Sequence, residues 1–166
     1  MANYHPAFAV ETSSDDSIKD FIAKFYATSD TPGKNTEWAE FFQDDATLVM
    51  EKKSATGKTG SQHYDYFSQI RQTFGLTWGT HIDILKVREG MWEKVQAREH
   101  TVFQVFPAKF EKTATGQVEL MLYGHVVYKL KGQESSEPAV DWAGYAKLVK
   151  VGSEWKFAYY RVYIQR

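Results

Sequence analysis

The sequence contains no cysteine. Disulfides, thiolate catalysis, zinc fingers and iron–sulfur clusters are therefore excluded. No run approaches the roughly 18–20 continuous apolar residues of a membrane-spanning helix. Neither sign of charge dominates, with 20 lysines and arginines against 21 aspartates and glutamates and a net charge of −1. A general binder of the phosphate backbone needs a basic face, and this balance supplies none. Neither a nucleic acid nor a membrane is expected as a partner. The opening MANYHPAFAVETSSDD lacks a basic segment followed by an apolar core, so no signal peptide is expected. A reducing, cytoplasmic setting is the resulting expectation.

Aromatic residues are abundant instead. Eleven phenylalanines, five tryptophans and ten tyrosines make up 16% of the chain. Each can bury about 150–250 Å². In 166 residues, the size of one domain, that many rings imply a bulky core, an aromatic-lined cavity, or both.

Residues 1–13 are expected to form a flexible arm ahead of a single domain over 14–166. Ile18, Phe21, Ile22, Phe25 and Tyr26 recur at i, i+3, i+4, i+7 and i+8, which predicts a first helix. Ser13, Ser14 and Asp15 can cap it, and Pro32 and Gly33 stop it. A second short helix, capped by Asn35 or Thr36, carries Trp38, Phe41 and Phe42 and ends at Gln43-Asp44-Asp45. Thr47–Glu51 reads as a strand with a short return over 55–60. His63, Tyr66, Phe67, Ile70 and Phe74 predict a third helix over 62–74. Ile84, Val87, Met91 and Val95 form another helical stripe, with a strand over 80–87 as the competing reading. From residue 98 the period changes from 3.6 to 2. Arg98–Phe106, Val118–Leu130, Val140–Val151 and Trp155–Gln165 read as long strands, the last two joined by a Gly152-Ser153 hairpin turn. Helices first and antiparallel strands last is the α+β pattern.

Familiar motifs do not hold up. Gly57-Lys58-Thr59 looks like the tail of a phosphate-binding loop, but its first glycine would fall at Lys52 and no parallel βαβ unit surrounds it. The five histidines have no chelating local spacing, and neither a metal nor a cofactor is expected. Asp44-Asp45 reads as a solvated pair.

The order of elements, with Phe25-Tyr26 running into Ser29-Asp30, Asp45-Ala46-Thr47-Leu48, Gly90-Met91-Trp92-Glu93, Arg98-Glu99-His100-Thr101-Val102, Leu120-Met121-Leu122-Tyr123-Gly124, Val140-Asp141-Trp142-Ala143-Gly144 and Trp155-Lys156-Phe157, resembles the nuclear transport factor 2-like superfamily. Within it the chain looks like the small fungal SnoaL-like proteins. The resemblance covers about residues 16–165. It implies a conical barrel, in which a curved antiparallel sheet packs against three or four N-terminal helices around a pocket. Residues 61–80 look inserted, as a candidate lid. A homodimer is implied too, with Tyr159, Arg161 and Tyr163 on the outer sheet face.

That superfamily holds both enzymes and non-catalytic binders. Compared with scytalone dehydratases, the acid ending the first helix matches Asp30 and the strand histidine matches His100. A serine and an asparagine of those enzymes fall at Trp142 and Gly144, so that polar pair is missing. The resemblance implies His100 and Asp30 as the catalytic pair. Tyr26, Met50, Trp92, Val102, Tyr128, Trp142, Tyr160 and Val162 would bind the substrate. On its own residue chemistry, His100 titrates near neutrality and shares a strand face with Val102 and Gln104. By the same alternation Asp141 points away from Trp142. The expected function is a cofactor-free acid–base enzyme that isomerises, dehydrates or cyclises a small apolar oxygenated metabolite. The alternative is a ligand binder or dimeric interaction module of the same fold.

Overall fold

The computed structural model describes residues 4–8, 16–50, 53–58, 83–108 and 116–165. The predicted helix over 62–74, the 61–80 insertion and the Ser13-Ser14-Asp15 cap lie outside the described residues.

The apolar stripe of the first helix folds as its spacing dictates. Helix α1 (Asp16–Ser29) buries Ile18, Phe21, Ile22, Phe25 and Tyr26 on one side, and Ser29 continues that side at the last turn. Its rings enter an aromatic core. Phe25 packs edge-on against Phe157 at 4.8 Å and Tyr160 at 5.6 Å, and Phe21 against Phe157 at 4.9 Å. Edge-to-face geometry puts the positive ring edge on the negative ring face.

Helix α2 (Asn35–Ala39) is shorter than the sequence predicts and has no side-chain cap. Phe42 does not extend it. Strand β2 (Phe42–Met50) begins there, and Gln43-Asp44-Asp45 is an irregular stretch of strand in which both aspartates are exposed. Its carbonyls are taken up locally: Gly57 N–H donates to the Ala46 carbonyl and Lys58 N–H to the Asp44 carbonyl, at 2.9 and 3.2 Å. The return strand is β3 (Lys53–Thr56), earlier than expected, and Gly57 turns out of it at φ +87°. Helix α3 (Ile84–Gly90) displaces the competing strand reading, and the Asp83 carboxylate caps it by accepting from Lys86 N–H at 2.7 Å. It stops at Gly90, so Val95 belongs to the next strand rather than to the helical stripe.

Strands β4 (Val95–Ala108), β5 (Gln117–Leu130), β6 (Val140–Val151) and β7 (Glu154–Ile164) follow as an antiparallel run. A two-residue strand, β1 (Ala7–Phe8), runs parallel to β4 at Gln104 and Val105. Part of the expected N-terminal arm is therefore held against the sheet. Strand β2 joins the other side, parallel to β7. The result is one curved, seven-stranded sheet in the order β1-β4-β5-β6-β7-β2-β3. Its two ends do not meet, so the expected barrel is open, and two of its pairings are parallel. Three helices are present among the described residues.

The inner face alternates as period 2 requires, except at bulges. Leu122, Val126, Trp142, Ala146, Leu148, Phe157, Tyr160 and Val162 are buried on it. In β4, Val102 pairs with Gly124 and Gln104 with Tyr123, which leaves Phe103 as an extra residue. The bulge reverses the phase. Val105, not Gln104, becomes the next buried residue after Val102.

Candidate active site

Asp30 and His100 meet where α1 ends against β4. The imidazole Nδ1–H donates to Asp30 Oδ1 at 2.5 Å. His100 backbone N–H donates to Asp30 Oδ2 at 2.6 Å, and the Tyr4 hydroxyl donates to the same oxygen at 3.1 Å. The carboxylate is thus fixed from three sides. With Nδ1 carrying the proton, Nε2 keeps its lone pair, and it has no hydrogen-bond partner among the described residues.

Two buried guanidiniums hold this corner together. The last carbonyls of a helix lack intrahelical donors. In α1 they are met by Arg88 of α3 and Arg98 of β4. Arg88 donates to the Ser29, Thr28 and Thr31 carbonyls at 2.8, 3.2 and 3.0 Å. Arg98 donates to the Ser29 carbonyl through Nε at 3.0 Å and Nη2 at 2.5 Å, and to Ser29 Oγ at 2.9 Å. Its Nε also lies 3.5 Å from Asp30 Oδ1. Trp92 completes the corner, its ring facing Arg98 at 4.8 Å and Arg88 at 5.1 Å.

This setting sets the charges. Burial holds His100 below its ordinary range; the Asp30 carboxylate opposes that, and Arg98 and Arg88 add to it. The ring is neutral at pH 7. Burial, with Arg98 beside it, draws Arg88 down to about 9, still a cation at neutral pH. Burial also lowers Arg98, against the pull of Asp30.

Beside the dyad lies a cavity of about 40 Å³ with His100, Arg98, Trp38, Tyr26, Trp142 and Tyr160 on its wall. That is space for about three water molecules. Tyr26 stacks on Trp142 at 5.2 Å and lies 5.2 Å from the His100 ring. Its hydroxyl shares a 2.7 Å hydrogen bond with that of Tyr160. Burial raises the pKa of both phenols, so both stay protonated. Among the described residues no group of three or more His, Cys, Asp or Glu side chains is placed to hold a metal.

No family model matches the chain, and no curated protein matches it. Solved structures match its shape. A scytalone dehydratase candidate from Novosphingobium aromaticivorans aligns over 91% of this chain and 83% of its own, with a TM-score of 0.64 and 14% identity. A hexachlorocyclohexane dehydrochlorinase from Novosphingobium barchaimii aligns over 91% and 86%, with a TM-score of 0.60 and 12% identity. ActVI-ORFA from Streptomyces coelicolor aligns over 90% and 96%, with a TM-score of 0.59 and 14% identity. The fold is nuclear transport factor 2-like. Identities this low carry the fold and nothing about chemistry.

On this nuclear transport factor 2-like frame, Tyr26, Met50, His100, Tyr128, Trp142, Tyr160 and Val162 reach the cavity wall. Asp30 stands behind His100. Two expected residues are off the wall. Val102 is carried into the core beside Gly124, and Trp92 is turned onto the two guanidiniums. Asp141 is exposed, within 3.5 Å of the Tyr123 hydroxyl. Arg98 and Arg88 were not anticipated. Alternation carries the signal for Arg98, which lies two residues before His100 and so shares its face. For Arg88 the signal is helical: it lies four residues after the buried Ile84.

No helix among the described residues is long and apolar enough to cross a membrane.

Proposed function

We propose that the protein is a cofactor-free acid–base enzyme acting on a small oxygenated metabolite. The observation that carries this reading is the His100–Asp30 pair, with Asp30 fixing the imidazole tautomer and Nε2 left as a base on the cavity wall. Nε2 takes a proton from carbon next to a carbonyl, and the electron pair moves onto the carbonyl oxygen. The imidazolium then returns its proton to another carbon, giving isomerisation; where the enolate carbon instead attacks a second carbonyl of the same molecule, the new C–C bond forms as that C=O π bond breaks, and the proton goes to the resulting alkoxide, giving cyclisation. Returned to a leaving hydroxyl, the same proton completes a dehydration. Asp30 is a positioning residue throughout. The dehydrochlorinase and the scytalone dehydratase candidate share the frame on which this reading is built.

The test needs no knowledge of the natural substrate. Deuterium exchange into the methyl groups of acetone and hydroxyacetone in D₂O is followed by proton NMR. Wild type accelerates exchange, and His100→Gln lowers the rate by about 10²-fold or more, the usual contribution of a positioned base. Asp30→Asn lowers it as well. Equal rates for all three proteins put the dyad outside catalysis.

The second reading is a non-catalytic binder of the same fold. It is favoured by Trp142 and Gly144, which stand where scytalone dehydratases carry a polar serine and asparagine.

A homodimer is proposed through the outer sheet face. There Phe103, Tyr123 and Tyr163 are 40–45% exposed, and Phe103 lies 5.4 Å from Tyr123. Sedimentation velocity on wild type and Tyr123→Glu tests it. A monomer at micromolar concentration in both removes the proposal.

A further inference from the structure

The hydrogen-bonding capacity around the cavity is lopsided. Trp38 Nε1–H and Trp142 Nε1–H are buried with no acceptor, and both residues are on the cavity wall. Arg98 is on the same wall. Its Nε and Nη2 are satisfied by Ser29, but Nη1 has only the Met91 thioether, at 3.5 Å. A thioether is a poor acceptor. Buried donors normally find partners, and one left without is a net cost to the fold. On this wall the hydroxyls of Tyr26 and Tyr160 are spent on each other. The lone pair of His100 Nε2 is the base of the proposed reaction.

The charge is lopsided in the same sense. Arg88 and Arg98 are both buried, and among the described residues Asp30 is the carboxylate paired with Arg98. His100 contributes no negative charge in any protonation state. The carbonyl end of α1 offsets about half a charge. A net positive field remains in a setting where water screens little.

We infer that the cavity is built for an anion, and that the substrate is a small carboxylic acid whose carboxylate sits against Arg98 Nη1 and the indole N–H groups of Trp38 and Trp142. This rests on the cavity being the substrate site of the proposed enzyme, and it changes the substrate class. The metabolite is acidic, not a neutral apolar molecule. One end of it gives a proton to His100 and the other accepts from the three donors. A neutral ketone fits the base and leaves the donors unpaired. A planar carboxylate answers both the charge and the donor count.

The experiment compares acetate with acetamide, which have nearly the same shape and differ in charge. The full chain, ¹⁵N-labelled, is titrated with each at constant ionic strength, with chloride as a third probe. Acetate is expected to saturate at least tenfold more tightly than acetamide and to shift the indole N–H signals of Trp38 and Trp142 downfield. Arg98→Gln is expected to abolish the preference for acetate. Because Arg98 also holds α1, a second variant is needed if that one does not fold. Trp142→Phe keeps an aromatic ring, though a smaller one, removes one donor and is expected to weaken acetate several-fold. Equal binding of acetate and acetamide, no binding of either, chloride binding as tight as acetate, or acetate binding unchanged in Trp142→Phe would each overturn the proposal. His100→Gln separates the two readings. It is expected to keep acetate binding even where the exchange assay shows the dyad idle, so either can fail without the other.

Discussion

Trp142 lies in the space that Gly124 leaves open on the neighbouring strand. A Cβ at position 124 would stand 2.9 Å from the Trp142 ring and 2.1 Å from the Thr101 carbonyl oxygen. The second contact is with backbone, which cannot swing aside. Gly124→Ala is therefore expected to cost about 2–3 kcal/mol, in the range of overpacked cores. For a chain of this size that lowers Tm by roughly 5–10 °C. Thermal denaturation read by tryptophan fluorescence checks it; an unchanged Tm would mean that β4 and β5 can separate locally without penalty.

The His100 ring also makes stability depend on pH. Its pKa is lower in the folded state than in the unfolded chain, where it is near 6.5. Between those two values the unfolded state holds more protons, so stability rises with pH. Above about pH 6.5 the ring is neutral in both states and the dependence vanishes. Urea midpoints between pH 5 and 8 should fall on the acid side for wild type, and the slope should flatten in His100→Gln. The same shift keeps the base active in mildly acidic buffer, with kcat/KM falling only below the ordinary histidine range.

Tyr26 and Tyr160 form a closed pair, and removing either hydroxyl strands the other. Tyr26→Phe or Tyr160→Phe is expected to cost about 1–3 kcal/mol. The double variant should cost less than the two single losses added together, because no hydroxyl is then left buried alone. A double-mutant cycle in urea measures this coupling directly. Simple additivity would show that a water molecule already serves each hydroxyl.

Arg88 closes the end of α1 by donating to three carbonyls. Arg88→Met is expected to cost about 3–5 kcal/mol, since several charge-assisted bonds disappear together. Arg88→Lys should recover little, because an ammonium lacks the planar fork that spans separate carbonyls. Amide exchange in residues 26–31 should quicken in both variants. If the lysine variant matches wild type, the charge matters and the fork does not.

Much of this arrangement was legible in the sequence, for reasons that can be named. The stripe from Ile18 to Tyr26 repeats over two turns, long enough for periodicity to decide. Alternation put Trp142 and Asp141 on opposite faces, and the resemblance turned Tyr160 and Val162 toward the cavity. The His100–Asp30 pairing came from resemblance, since nothing local ties residues 70 positions apart. Three features were hidden. The bulge at Phe103 reverses the phase of β4 and carries no mark in composition, so Gln104 was put on the wrong face. Phe42 suited both a helix edge and a strand start, and its pairing with Phe157 of β7 decided for the strand. The roles of Arg98 and Arg88 were not read, because their partners include backbone carbonyls at the end of another helix, which leave no mark in the sequence.

The parallel pairing of β2 with β7 has a consequence for how the protein comes to work. Leu48 lies opposite Tyr160 and Met50 opposite Val162, so the cavity draws on segments more than a hundred residues apart. A nascent chain that stops short of β7 has the dyad partners in hand but no enclosed place to use them. Non-local contacts of this kind form late and slowly. During refolding, far-UV signals should return ahead of ligand binding, because β7, which finishes the wall, follows all the other described strands in the chain.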